Sequence, residues 1–138
     1  MKKLFLDIGY DYDFVVYGIV SQEPFHRLAW LINKKLDTNF SRQDDLAFSF
    51  ENEADLTISR FSYHDELNHL EFDLLANKDS TNYWIPELRK IDYFIFVKGA
   101  LESFRKRKYT EPFRQIPEIS IISEIHHKKL KQKERFIF

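Results

Sequence analysis

The chain contains no cysteine among its 138 residues. This absence excludes a disulfide scaffold, thiol catalysis and any metal site built on cysteine ligands. Glycine is scarce as well, with three isolated residues, so no glycine-rich loop exists to cradle phosphate groups. A Gly-x-Ser-x-Gly nucleophile motif is also missing. We therefore expect neither a nucleotide-dependent enzyme of a familiar kind nor a serine or cysteine nucleophile.

Long apolar runs are missing too. No stretch approaches the roughly 20 apolar residues that a helix needs to cross a bilayer. The N-terminal Lys-Lys-Leu-Phe-Leu briefly resembles a secretory signal, but Asp7, Asp11 and Asp13 interrupt the apolar region and no small-residue cleavage site follows. We expect a cytoplasmic protein that makes no membrane contact.

Aromatic residues are abundant, with 14 Phe, 7 Tyr and 2 Trp. A hydrophobic fraction of 43% can fill a core, and a charged fraction of 31% covers the remaining surface. The length is typical of one domain. We predict a single domain over residues 1–138, with a basic C-terminal extension at about 126–138 that docks through its final Phe-Ile-Phe.

Period-2 and period-3.6 patterns predict the element order. The predicted strands lie at 3–8, 13–20, 45–53, 54–63, 68–78, 92–97 and 117–125. A clear helix is predicted at 21–37, and a second helix at 100–115 that Pro112 would end early. The order ββα-βββ-βαβ favours an α+β fold with a mostly antiparallel or mixed sheet of about six or seven strands and two main helices.

Charge is divided unevenly along the chain. Residues 1–97 carry 10 Lys and Arg against 17 Asp and Glu, a net charge of −7, whereas residues 98–138 carry 11 against 5, a net charge of +6. Exposed cations of the basic half are candidates for contact with RNA phosphates. These candidates are Arg105, Lys106, Arg107, Lys108, Lys128, Lys129 and Lys131. Solvated faces, or two complementary halves of one fold, explain the same asymmetry.

Two clusters of acidic or histidine residues are candidate ligand sites. His64, Asp65 and His69 lie in a predicted hairpin, where exposed polar side chains are common. The spacing of Asp7, Asp11 and Asp13 does not match a calcium-binding loop. We predict no metal, no cofactor and no catalytic residue.

The stretch at 84–99 joins a proline-primed turn to a dense aromatic run. Its Ile85-Pro86-Glu87, three residues, then Ile91-Asp92-Tyr93 resembles the signature of the IPExxxVDY family of small bacterial proteins, with Ile91 in place of the usual Val. The likeness extends to the first helix, to Asp44-Asp45 and to the closing segment. It implies a single-domain, cytosolic bacterial protein and transfers no activity.

These observations favour a non-catalytic binding or adaptor module with a protein partner, and they leave homo-oligomerisation open. Glu87, Arg89, Asp92 and Tyr93 are the candidate contact residues, although a simple turn-to-strand junction is the favoured explanation of this stretch. An RNA-associated protein using the basic segments is the first alternative. A small enzyme using Glu87 and Asp92, or the cluster at 64–71, is the second.

Overall fold

The structure is a computed structural model that describes residues 14–138. The strand predicted at 3–8 and the aspartates at 7, 11 and 13 lie outside the described residues. The elements follow one another as β1 (Val15–Ser21), α1 (Phe25–Leu36), β2 (Ser41–Phe48), β3 (Leu56–Asp65), β4 (Leu70–Ala76), β5 (Tyr93–Gly99), α2 (Lys106–Arg114) and β6 (Ile119–Glu124). Short 3₁₀ helices lie at Pro86–Leu88, Leu101–Ser103, His127–Lys129 and Lys133–Phe136.

The six described strands form one sheet in the order β2-β3-β4-β5-β1-β6, and every neighbouring pair is antiparallel. β1 lies between β5 and β6, with Val16 opposite Phe96 and Ile19 opposite Ile122. β5 and β6 therefore run in the same direction without pairing. The predicted α+β fold, with a mostly antiparallel sheet and two main helices, is confirmed.

Alternation along the central strand β5 divides the core into two clusters. Ile95 and Val97 pack under the helices, while Phe94 and Phe96 face the opposite side of the sheet. All four side chains have no exposed surface. A strand that is apolar on both faces must be covered on both faces. The helices α1 and α2 cover one face, and the loop before β5 together with the C-terminal segment covers the other.

Helix α2 corrects one prediction, because Pro112 lies inside the helix and does not end it early. The helix starts at Lys106 and runs on to Arg114, so proline occupies its seventh residue. Proline cannot donate the backbone hydrogen bond expected there. Burial of Thr110 and Phe113 against the sheet holds the turn in place in spite of that loss.

The C-terminal segment is part of the second cluster. Phe136 is fully buried, and the Arg135 side chain is 7% exposed. The Arg135 guanidinium donates to the carbonyl of Trp84 at 2.9 Å, pairs with the Glu53 carboxylate and lies 3.8 Å from the Phe50 ring centroid. A buried cation is stable only when it is paired and hydrogen-bonded in this way. The extension predicted at 126–138 is thus built into the fold.

Candidate functional site

The first half of the motif is a turn held by one buried amide. The Asn77 side chain donates to the carbonyls of Leu88 and Ile91 at 3.0 and 2.9 Å, and it accepts from the Ile85 N–H at 2.9 Å. Its own backbone carbonyl accepts from Trp84 at 2.6 Å. Asn77 has no exposed surface, and without its side chain the Ile91 carbonyl and the Ile85 N–H would lose these partners, whereas the Leu88 carbonyl also accepts from the Ile91 N–H. The turn Pro86–Leu88 is therefore fixed to the end of β4.

Glu87 projects from this turn toward the C-terminal segment. Its two carboxylate oxygens accept the backbone N–H groups of Gln132 at 2.9 Å and of Lys131 at 3.3 Å. Arg89, two residues further on, is exposed and makes only a long contact of 3.4 Å to the carbonyl of Pro86. Glu87 therefore binds the backbone of the C-terminal segment at Lys131 and Gln132.

Asp92 and Tyr93 hold the junction between β1 and α1. The Asp92 carboxylate accepts the Ser21 N–H at 3.0 Å. The Tyr93 hydroxyl donates to the carbonyl of Glu23, and its ring stacks on Phe25 with centroids 5.3 Å apart. Burial raises the pKa of Tyr93. Both side chains are therefore engaged with backbone at the end of the neighbouring strand.

Ile91 completes the junction by packing over Gly18. A Cβ at residue 18 would lie 3.0 Å from two Ile91 side-chain carbons, so any larger residue there would force the Ile91 side chain to shift by a few tenths of an ångström. Glu87 and Asp92 contact separate segments of the chain and share no hydrogen-bond partner. This geometry gives no support to an acid–base pair, and it explains most of the motif by intramolecular contacts.

The basic residues of α2 are arranged differently. Arg105, Lys106, Arg107 and Lys108 are all exposed at the positive end of the helix dipole, where acidic residues are normally favoured. Lys106 pairs with Glu124 at 3.1 Å. The other three have no ion pair within residues 14–138. These three cations therefore gain nothing from the helix dipole, which disfavours positive charge at this end of the helix.

An open groove of about 780 Å³ lies beside these cations. Phe104 and Pro112 are its two apolar lining residues, and the other lining residues are charged. We call this surface the basic groove, and it is lined by Phe104, Arg105, Lys106, Arg107, Lys108, Glu111 and Pro112. Basic side chains next to apolar ones suit a ligand that carries both acidic and apolar groups.

The lysines of the C-terminal segment lie outside α2 and do not line the basic groove. Lys128, Lys129 and Lys131 are exposed, but their segment covers the face of the sheet opposite to α2. The sheet aromatics are either buried in the two clusters or, like Phe61, Tyr63 and Tyr93 at the first cluster, partly buried and packed against them. Among the described residues, Trp30 and Phe138 are the most exposed aromatic side chains, at 52% and 37%. RNA binding by aromatic stacking on the sheet is therefore not supported.

The hairpin between β3 and β4 gathers His64, Glu66, His69 and Glu71 around a cavity of about 390 Å³. Asp65 is engaged in the turn, since its carboxylate accepts the Asn68 N–H at 3.2 Å. Within the described part of the chain, no three His, Asp or Glu side chains are placed to hold a metal ion. Over the same residues, no helix is long and apolar enough to span a bilayer.

Sequence reasoning missed three residues with distinctive polar roles. Asn77 and Asp79 lie in the polar stretch at 77–82, which has the composition of an ordinary solvated loop. The Asp79 carboxylate accepts the Thr57 N–H at 2.9 Å, and this bond, followed by bonds from Thr81 and Asn82, holds its pKa well below the usual range. Tyr17 is buried in the middle of β1, and its hydroxyl has no hydrogen-bond partner among the described residues.

Comparison with known proteins leaves the site to be interpreted from its own geometry. No protein-family model matches the chain. No curated protein and no solved structure matches it either.

Proposed function

We propose that the protein is a non-catalytic binding module whose basic groove takes an acidic segment of a partner protein. The observation that carries this proposal is the set of three exposed cations without counterions at the start of α2, namely Arg105, Arg107 and Lys108. Carboxylates of a partner would supply the counterions and would interact favourably with the helix N-terminus. Apolar side chains of the same segment would cover Phe104 and Pro112.

A protein segment fits this surface better than RNA does. The cations form one short cluster on α2, and the remaining basic candidates lie on the segment that covers the other face of the sheet. The net charge of −1 gives no general attraction to a polyanion. The sheet aromatics are also buried or packed against the core clusters, so they offer little of the exposed ring surface that single-stranded bases use.

Two further expectations belong to this proposal. The motif at 85–93 supports membership of the IPExxxVDY family and, with it, a cytosolic bacterial protein that needs no cofactor. The second alternative, an enzyme based on Glu87 and Asp92, is not pursued because both carboxylates accept backbone hydrogen bonds from this chain. The proposed binding surface is therefore the basic groove on α2, in place of the motif residues expected from the sequence.

A peptide display library that varies in net charge tests the proposal. Selected sequences are expected to be acidic and to contain Leu or aromatic residues, and their affinities are measured by fluorescence anisotropy. The double variant Arg107→Ala with Lys108→Ala is expected to bind about five-fold more weakly, because two surface ion pairs contribute about 1 kcal/mol together. Binding should also weaken at high salt, which screens the exposed charges.

The matched control removes the same charge from another helix. Lys34 and Lys35 are exposed in the last turn of α1, and changing both to Ala should leave peptide binding within two-fold of the wild type. Enrichment of neutral peptides, or equal losses in the two double variants, would overturn the proposal. A single-stranded RNA probe that displaces the selected peptides would favour RNA as the partner. If the wild type forms a dimer and the α2 double variant does not, the partner is a second copy of this chain.

A further inference from the structure

A second cavity lies on the inner flank of α2, between that helix and the strands β1 and β6. Its volume is about 260 Å³. Polar and charged side chains dominate its walls, and the main ones are Tyr17, Lys106, Arg107, Thr110, Arg114 and Glu124. This inner cavity is distinct from the basic groove, which does not include Tyr17, Thr110, Arg114 or Glu124.

Tyr17 supplies an unused hydrogen-bond donor at the inner cavity. The side chain is 3% exposed, and its hydroxyl has no partner in the described part of the chain. Burial raises the pKa of Tyr17 to about 12, with a further increase from Glu124 and an opposing decrease from Arg114. The hydroxyl therefore interacts electrostatically with Glu124 and Arg114, which both line the cavity, and it remains protonated at neutral pH. A buried donor without an acceptor costs free energy, and a ligand that accepts from the Tyr17 hydroxyl would remove that cost.

The charges around the cavity favour an anion. Lys106, Arg107 and Arg114 oppose the single carboxylate of Glu124, so three positive charges against one negative charge leave a net charge of +2. Lys106 neutralises Glu124 at 3.1 Å. The Arg114 guanidinium is held by the Thr110 hydroxyl at 3.1 Å, and it makes no ion pair within residues 14–138. The two arginines thus lack counterions beside a buried donor.

We propose that the inner cavity binds a small molecule through an oxyanion group, a phosphate or a carboxylate, which accepts from the Tyr17 hydroxyl and pairs with Arg107 and Arg114. Guanidinium groups bind both kinds of oxyanion with paired N–H donors. The cavity volume limits the bound part to a small group. This site goes beyond the binding of an acidic peptide segment, and it uses Tyr17 and Arg114, which lie outside the basic groove.

Thermal unfolding with added oxyanions tests this site. Sodium phosphate and sodium acetate are titrated separately against sodium chloride of the same ionic strength. A saturable rise in Tm of about 3 °C is expected for at least one of the two oxyanions, since a ligand that binds only the folded state stabilises it. A response to phosphate alone assigns a phosphate group, a response to acetate alone assigns a carboxylate, and a response to neither overturns the proposal.

Two variants connect the response to the cavity. Tyr17→Phe removes only the hydroxyl, so it should raise the Tm of the ligand-free protein while reducing oxyanion affinity at least five-fold. Arg114→Gln changes an exposed side chain and should reduce affinity to a similar degree without affecting folding. Tyr63→Phe is the matched control, because Tyr63 is a partly buried tyrosine that does not line the cavity. Full oxyanion affinity in both cavity variants would overturn the site even if the peptide-binding proposal holds.

Discussion

Replacement of Asn77 tests how the motif is fixed to the sheet. Asn77→Ala removes three side-chain hydrogen bonds, two donated to the carbonyls of Leu88 and Ile91 and one accepted from Ile85. Each bond contributes about 1 kcal/mol net, and the buried groups left behind add a desolvation cost. We therefore expect the free energy of unfolding to fall by about 3 to 4 kcal/mol, a large part of the stability of an ordinary domain.

Asn77→Asp separates hydrogen bonding from packing, since the two side chains have nearly the same shape. The carboxylate can still accept from Ile85, but it cannot donate to the two carbonyls and would place a charge at a fully buried position. The loss at pH 7 should exceed that of Asn77→Ala. Its folded-state pKa would be raised by burial, so stability should partly return as the pH falls through that raised pKa.

Urea denaturation followed by tryptophan fluorescence measures these losses. Trp84 is fully buried and its backbone N–H donates to the backbone carbonyl of Asn77, whereas Trp30 is 52% exposed. In a Trp30→Phe background, emission therefore reports on the turn next to the substituted residue. Asn39→Ala is the matched control, because Asn39 is exposed and should change stability by no more than about 0.5 kcal/mol. A loss below about 1 kcal/mol for Asn77→Ala, with an unchanged m-value, would refute the reasoning.

Two other predictions concern the C-terminal segment. Glu87→Ala should speed hydrogen exchange at the Gln132 amide about five-fold, because it removes about 1 kcal/mol of hydrogen bonding. Arg89→Ala changes an exposed neighbour and should leave that exchange rate unchanged. Equal exchange rates in the two variants would contradict the role of Glu87 in holding the C-terminal segment. The His127 ring stacks on Phe14. Burial is the largest effect on the pKa of His127 and lowers it, and Lys128 lowers it further, whereas the hydrogen bond to the Phe14 carbonyl and the charge of Glu124 oppose this decrease. Because the unfolded chain then binds the proton more tightly, stability should fall as the pH drops below about 6.5, and a His127→Gln variant should lose that part of the pH dependence in urea titrations at successive pH values.

Local patterns predicted the type and order of the described helices and strands, although β2 begins four residues before its predicted start and α2 begins six residues after its predicted start. Leu70, Phe72 and Leu74 alternate with polar neighbours, and they line one face of β4 in the structure. The doubly apolar run at 92–97 correctly predicted a central strand. These predictions work because burial on a strand follows a period of two residues that is visible in the sequence.

The roles of the polar residues could not be predicted in the same way. Asp92 bonds to a residue 71 positions earlier, and Glu87 bonds to one 45 positions later. No local spacing encodes such partners, because only the tertiary arrangement brings them together. The same holds for Tyr17, which alternation places in the core but whose hydroxyl meets charged residues only after α2 packs on β1 and β6.

The place of β1 in the sheet has a consequence for the order of assembly. The hairpins β2-β3 and β3-β4 join neighbours in sequence and can form as soon as their residues are available. β1 can pair only after β5 and β6 have formed, since Val16 pairs with Phe96 and Tyr17 pairs with Glu124. Pairing over such separations slows folding. Until β5 and β6 are in place, both edges of this apolar strand lack partners, and unpaired edges of this kind favour aggregation or binding by chaperones.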